Sequence, residues 1–313
     1  MVFLHFKDKK FFSKIGFNYL ILGIITLIFQ IIILNIINLT NPQYLTDINI
    51  ISIVSTICNY ILPFPIFYWL MKKISSTKLE KTGTGIKTFI LYLGITITLM
   101  WIGNLIGLAI TSLLSSTMQS DITNPVQELI NSADIWFNLI IISLLAPIFE
   151  EILFRKLLID RTIKYGAKVS IILSALIFAL FHGNLNQFFY ALLMGGFFAY
   201  VYIKTGRIIY TMILHGIINL MGSVVSIFVA NSVNNLMSCF NSLDFAILIT
   251  YIMILLLFLI IGIYGLTKLE KARFNGQKTE IALENPFRTM FLNYGMICFT
   301  AFYIIMMIRQ TLG

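Results

Sequence analysis

Polar positions along this chain are sparse and gathered into short groups, and the stretches between them stay apolar for much longer than a soluble core element needs. Uninterrupted apolar runs near 15–38, 49–71, 88–114, 135–158, 168–183, 187–203, 208–230, 242–267 and 289–308 predict helices that cross a bilayer, each of which needs about 20 residues. The groups between the runs alternate in kind. Connections 39–48, 115–134 and 231–241 hold no Lys or Arg and are rich in Asn, Ser, Thr and Asp, whereas 72–87, 155–168, 204–207, 268–288 and the stretch before the first run are basic. The expected fold is all-α: a single integral membrane domain over 1–313 with about nine transmembrane helices (eight or nine).

Composition agrees with the pattern. Of 313 residues, 58% are hydrophobic and 11% charged, less than half the roughly 25% of a soluble domain. Collagen-like, disordered, disulfide-framework and nucleic-acid-binding readings are excluded, and the expected partner is the lipid bilayer. The net charge of +9 reports basic loops held against anionic lipid. Of 22 basic residues, 21 fall on alternate connections and Arg309 falls on the other side. The expected setting is therefore the cell membrane, with the N-terminus cytoplasmic. The basic start leads into an apolar run too long for a removable signal peptide and without a small-residue cleavage site. Cys58, Cys239 and Cys298 are scattered singly and read as packing residues. Connections 72–87 and 268–288 read as solvated or lipid-facing loops. Gly103 with Gly107, and Gly195 with Gly196, read as close helix packing.

Ionisable groups inside a span are the informative exceptions, since each costs about 2.5–3.5 kcal/mol at the bilayer centre unless paired. The fourth run holds Glu150, Glu151 and Arg155. Glu151 and Arg155 are four apart with the acid first, the favourable order for an intrahelical pair. Glu150, about 100° away around the helix, is left over. Pro147, three residues earlier, predicts a kinked or opened helix. The three charges could instead mark the cytoplasmic end of the span, and the histidines shift the balance toward the first reading. His5 lies in the basic tail, but His182 and His215 lie in apolar runs, with Phe178 and Asn219 each four residues away on the same helix face. At 1.5 Å per residue from the basic ends, His182 is about 21 Å deep and His215 about 12 Å. Glu150 matches them, at about 16–21 Å, only if its helix runs on to Arg161 or Lys164 and Arg155 is buried.

A Glu, two His and an Asn from three helices support two related hydrolytic schemes. Glu150 with His182 could hold and deprotonate a water while His215 and Asn219 donate to a developing oxyanion. Alternatively, Glu150, His182 and His215 could ligate zinc, which would itself lower the pKa of the water. Three ordered patterns carry a resemblance: EExxxR at Glu150, Glu151 and Arg155, FxxxH at Phe178 and His182, and HxxxN at His215 and Asn219. Together with Pro147 and the HGNLNQF stretch, they resemble the CPBP intramembrane endopeptidases, which include the CAAX prenyl proteases and the bacterial Abi proteins. Lys156 stands where bacterial relatives often place Gly. The resemblance covers about 143–222, within core helices spanning 135–230. It implies a helical fold with a cavity opening toward the cytoplasm, catalytic Glu150, His182 and His215 assisted by Asn219, and supporting roles for Pro147, Glu151, Arg155 and Phe178. The expected activity is hydrolysis of a peptide bond in a peptide or membrane-protein substrate. Two alternatives are a non-catalytic Abi-type membrane scaffold or regulator that binds another membrane protein, and a transporter with a proton relay. The absence of an inverted repeat counts against the transporter. HExxH, GxSG and GxGD segments of other intramembrane proteases are absent.

Overall fold

The computed structural model describes residues 2–119, 122–269 and 281–312, and among these there is no strand. The apolar runs become α1 (Val2–Thr40), α2 (Ile48–Lys72), α3 (Ile86–Met118), α5 (Ile135–Tyr165), α6 (Ala167–Phe181), α7 (Leu185–Thr205), α8 (Ile208–Ser238), α9 (Ser242–Leu269) and α10 (Tyr294–Leu312), with a short helix α4 (Pro125–Ser132) inside the 115–134 connection. Eight of these helices are long and apolar enough to cross a membrane. The fifth predicted run gives α6, which at 15 residues is only about 22 Å long. Gly183, at φ +62°, supplies the left-handed turn after it. The Asn184 side chain then caps α7 by accepting from Gln187 N, so α6 and α7 form a hairpin that starts and ends at the same level.

Small residues set the spacing of the bundle. A Cβ at Gly103 would fall 2.3 Å from Tyr190 Cα, and one at Gly107 would fall 3.2 Å from Asn186 O, so α3 lies directly on α7. Gly94 and Gly262 join α3 to α9, and Gly16 and Gly295 join α1 to α10, in the same way. These contacts have the close backbone approach expected of helices packed in lipid. The largest buried cluster joins Phe12, Tyr19, Phe67, Phe154, Phe178 and Phe299 from five helices. The outer faces of α1 and α9 expose Ile31, Ile36, Met253 and Ile260, an apolar surface suited to lipid.

The two ends of the bundle differ in chemistry. At the basic end, Lys14 Nζ reaches Lys73 O (3.5 Å), Thr82 N donates to Thr205 O and Ile281 N to Lys164 O. At the neutral end, Asp134 N donates to Asn49 Oδ1, and Thr123 O accepts from both Asn186 Nδ2 and Gln310 Nε2. Two expectations are corrected here. The 72–87 connection is not simply solvated: Ile74 and Leu79 are buried, and its backbone is strapped to Asp160 and Thr205. Arg161, counted above as a loop cation, is buried and donates to Met71 O (2.7 Å), near the end of α2, and to Leu157 O (2.8 Å) of its own helix. Most of the 268–288 connection, residues 270–280, lies outside the described residues.

Candidate active site

The backbone of α5 positions the site. Its α-helical segment Ala146–Glu151 lies between two π-helical stretches, Asn138–Leu145 and Ile152–Lys156, a departure often found at functional positions. Pro147 has no N–H to offer the Ser143 carbonyl four residues earlier. Gly216 of α8 packs there, at a spot where a Cβ would lie 3.0 Å from that oxygen. Asn219 Nδ2 donates to Ile142 O (2.9 Å), and Ser223 Oγ pairs with Ser143 Oγ (3.0 Å). Two polar side chains of α8 therefore close the opened stretch of α5. The resulting register sets His215 against the two glutamates.

A line of charged and polar groups follows. Arg155 Nε lies 3.2 Å from Glu151 Oε2, both side chains being fully buried. Glu151 Oε1 is 3.0 Å from His215 Nδ1. His215 Nε2 lies 3.6 Å from Glu150 Oε2, and Glu150 Oε1 accepts a hydrogen bond from Tyr60 OH (2.6 Å). The bond from Nδ1 to Glu151 fixes that nitrogen as the proton carrier of the neutral ring, leaving Nε2 to face Glu150. At 3.6 Å the two are too far apart for a direct hydrogen bond. The gap suits a bridging water.

Phe178 is the covering residue. Its ring lies 4.3 Å beneath the Arg155 guanidinium and meets His182 and His215 edge-on at 4.7 and 5.9 Å. Arg155 Nη1 and Nη2 have no hydrogen-bond partner, and the rings of Phe178 and Phe198 take that place by cation–π attraction. His182, just past the end of α6, binds the Phe178 carbonyl through Nδ1 (2.7 Å), which leaves its Nε2 for a water or substrate.

Glu150, His182, His215 and Asn219 all line one cavity of about 580 Å³. Sequence reading missed Tyr60 and, from α10, Tyr303, which lines the same space. Asn59 and Tyr60 were a polar interruption in the second apolar run and were the available signal. Asn219 sits on the wall with one amide hydrogen spent on α5 rather than free for an oxyanion. Lys156 is half exposed and pairs with Asp160 and Tyr202 OH, so it faces away from the cavity. The direction of the cavity differs from expectation. Its walls run from Glu150 and His215, midway along the bundle, to Gln127 of α4 and its capping residue Asn124 at the neutral end, and include no described residue of the 73–85 or 204–207 connections. Toward the basic end the space is filled by Tyr19, Phe67, Leu157, Leu158 and Arg161.

The donors do not form a metal cage. Among the described residues, no three of His, Cys, Asp or Glu stand close enough to hold an ion, while Glu151 and Tyr60 hold His215 Nδ1 and Glu150 Oε1 and leave His215 Nε2 and Glu150 Oε2 facing the cavity. Residues 132–221 match the family model described as Type II CAAX prenyl endopeptidase Rce1-like. No curated protein and no solved structure matches the chain.

Proposed function

We propose, from the match of residues 132–221 to the Rce1-like family model and the geometry above, that this multi-pass membrane protein is an intramembrane endopeptidase that hydrolyses a peptide bond with a Glu150-activated water. The observation that carries this reading is the 3.6 Å gap between Glu150 and His215 Nε2, backed by a buried Glu151–Arg155 pair and open to a cavity. A water in that gap passes its proton to the Glu150–His215 pair as its oxygen attacks the scissile carbonyl. His182, whose Nδ1 donates to the Phe178 carbonyl, presents an accepting Nε2 on the cavity wall, placed to help hold the attacking water. The proton held at Glu150 then goes to the leaving amine, which restores the starting charge. Tyr60 OH fixes the second Glu150 oxygen and so aims the first. We place the protein in the cell membrane with its basic end cytoplasmic, because the basic connections gather at that end.

The test compares wild type with Glu150→Gln and His215→Ala for cleavage of co-expressed membrane proteins, at matched membrane abundance. Loss of cleavage in both supports the reading. Full retention of the wild-type phenotype by both would instead favour a scaffold. Because no three donors are gathered closely enough to hold an ion among the described residues, chelation of the purified protein is expected to leave cleavage unchanged. Loss on chelation, with recovery on adding zinc, would overturn the metal-free scheme.

A further inference from the structure

The cavity has a direction and a lining, and both bear on what enters it. Among the described residues, its walls carry no Lys, Arg or Asp, and Glu150 is the one acid. They are instead rich in carboxamides, spread over α1, α2, α3 and α7: Gln187 is bonded to Asn184 and Tyr190, and Gln30 Nε2 donates to Asn59 Oδ1 (3.0 Å), so Gln30 Oε1, Asn59 Nδ2 and the Asn104 amide are the groups left for an occupant. A carboxamide both donates and accepts, as a peptide group does, so it can pair with main chain of any sequence without bringing charge into the membrane. Two further wall groups, the hydroxyls of Ser52 and Thr26, are buried without a hydrogen-bond partner, although buried polar atoms are almost always satisfied. A lining of this kind suits a polar, uncharged occupant.

Length and access narrow the choice. Glu150 is 15 residues from the neutral end of α5 at Ile135, about 22 Å along the axis. An extended chain covers that distance with about seven residues at 3.3 Å each. Asn124 and Gln127, at the far end of the cavity, cap and belong to α4, whose outer face is exposed. We propose that the substrate is a polypeptide lying on the neutral-loop face, away from the basic loops, which threads an extended, uncharged stretch of about seven residues past α4 to reach Glu150. This rests on the endopeptidase reading and adds the side of access and the chemistry of the accepted segment. A Lys or Asp in that stretch would be desolvated among groups that offer it no counter-charge.

The test uses the full chain with Cys58, Cys239 and Cys298 replaced by Ala, carrying Gln127→Cys, Asn104→Cys or Lys78→Cys. In right-side-out membrane vesicles, a membrane-impermeant maleimide is expected to label the Gln127 variant and spare the Lys78 variant, with the reverse in inverted vesicles. A synthetic eight-residue peptide of Ala, Leu, Asn and Ser, added to right-side-out vesicles, is expected to slow labelling of the Asn104 variant. The same peptide with a central Lys and Asp is expected to protect at least about tenfold less. Labelling of the Gln127 variant only in inverted vesicles, or equal protection by both peptides, overturns the proposal. Glu150→Gln, which removes the base but not the walls, is expected to leave labelling and protection intact. A protein that passes these tests but cleaves equally well with Glu150→Gln would refute the endopeptidase reading alone.

Discussion

Glu150 and Glu151 are adjacent in sequence and do opposite work. Glu151 points into the bundle, where Arg155 and His215 hold it, while Glu150 turns to the cavity and is held by Tyr60. Replacing Glu150 with Gln keeps an oxygen for Tyr60 to bond while removing the base. Cleavage is therefore expected to fall by about 10²–10⁴-fold with unchanged thermal stability in detergent, and a fall in stability of similar rank would instead make Glu150 structural. Arg155 should behave in the reverse way. Arg155→Met leaves Glu151 buried without a counter-charge and is expected to cost about 3–5 kcal/mol, read as early thermal unfolding. Adding Glu151→Gln removes the stranded charge and should recover a large part of the stability, while cleavage stays low because His215 loses its orienting carboxylate. The pair was legible in the sequence because its partners are one helical turn apart. Tyr60 was not, since it lies 90 residues before Glu150 and only the folded chain brings them together.

Gly195 and Gly196 are likewise neighbours on α7 with different surroundings. A Cβ on Gly195 would fall 2.9 Å from Phe178 Cδ1, the ring that covers Arg155 and meets both histidines, whereas one on Gly196 would make an ordinary 3.7 Å contact with Ala175 Cβ. Gly195→Ala must displace that ring and is expected to cost about 1–3 kcal/mol and to lower cleavage. Gly196→Ala should be neutral or slightly stabilising, by up to about 1 kcal/mol through helix propensity. Equal thermal stability of the two variants would contradict this account of Phe178. At this scale, hydropathy located the membrane helices because they are long and continuous. It missed α4, whose eight residues are too few and too polar to register as a span. It also could not see the π-helical stretches of α5, which arise from what α8 offers to the carbonyls beside Pro147. Arg161 was misplaced because a basic residue at a helix end reads the same whether it faces water or binds a carbonyl of a neighbouring helix.

Across the whole molecule, the number of crossings depends on the short α6. Counting only the eight helices long enough to span would return the C-terminus to the side of the N-terminus. The hairpin changes that. The start of α6 and the end of α7 meet in one cluster, where Ala167 and Ile171 pack against Ala199 and Ile203. The two helices thus leave and return to the basic end, and counting both or neither gives an odd number of passes. Contacts at the two termini agree, since Lys14 reaches Lys73 at the basic end while Gln310 bonds Thr123 at the neutral end. A reporter that fluoresces only in the cytoplasm should therefore be bright when fused to the N-terminus and dark when fused after residue 313. A reporter active only outside the cell should show the reverse. Moving the second fusion to the 204–207 connection should restore the cytoplasmic signal, because that connection follows the full hairpin. Cytoplasmic signals from both termini would mean that α6 and α7 do not return together. The neutral mouth of the cavity would then no longer lie opposite the basic loops, and the route from that face to Glu150 would fail with it.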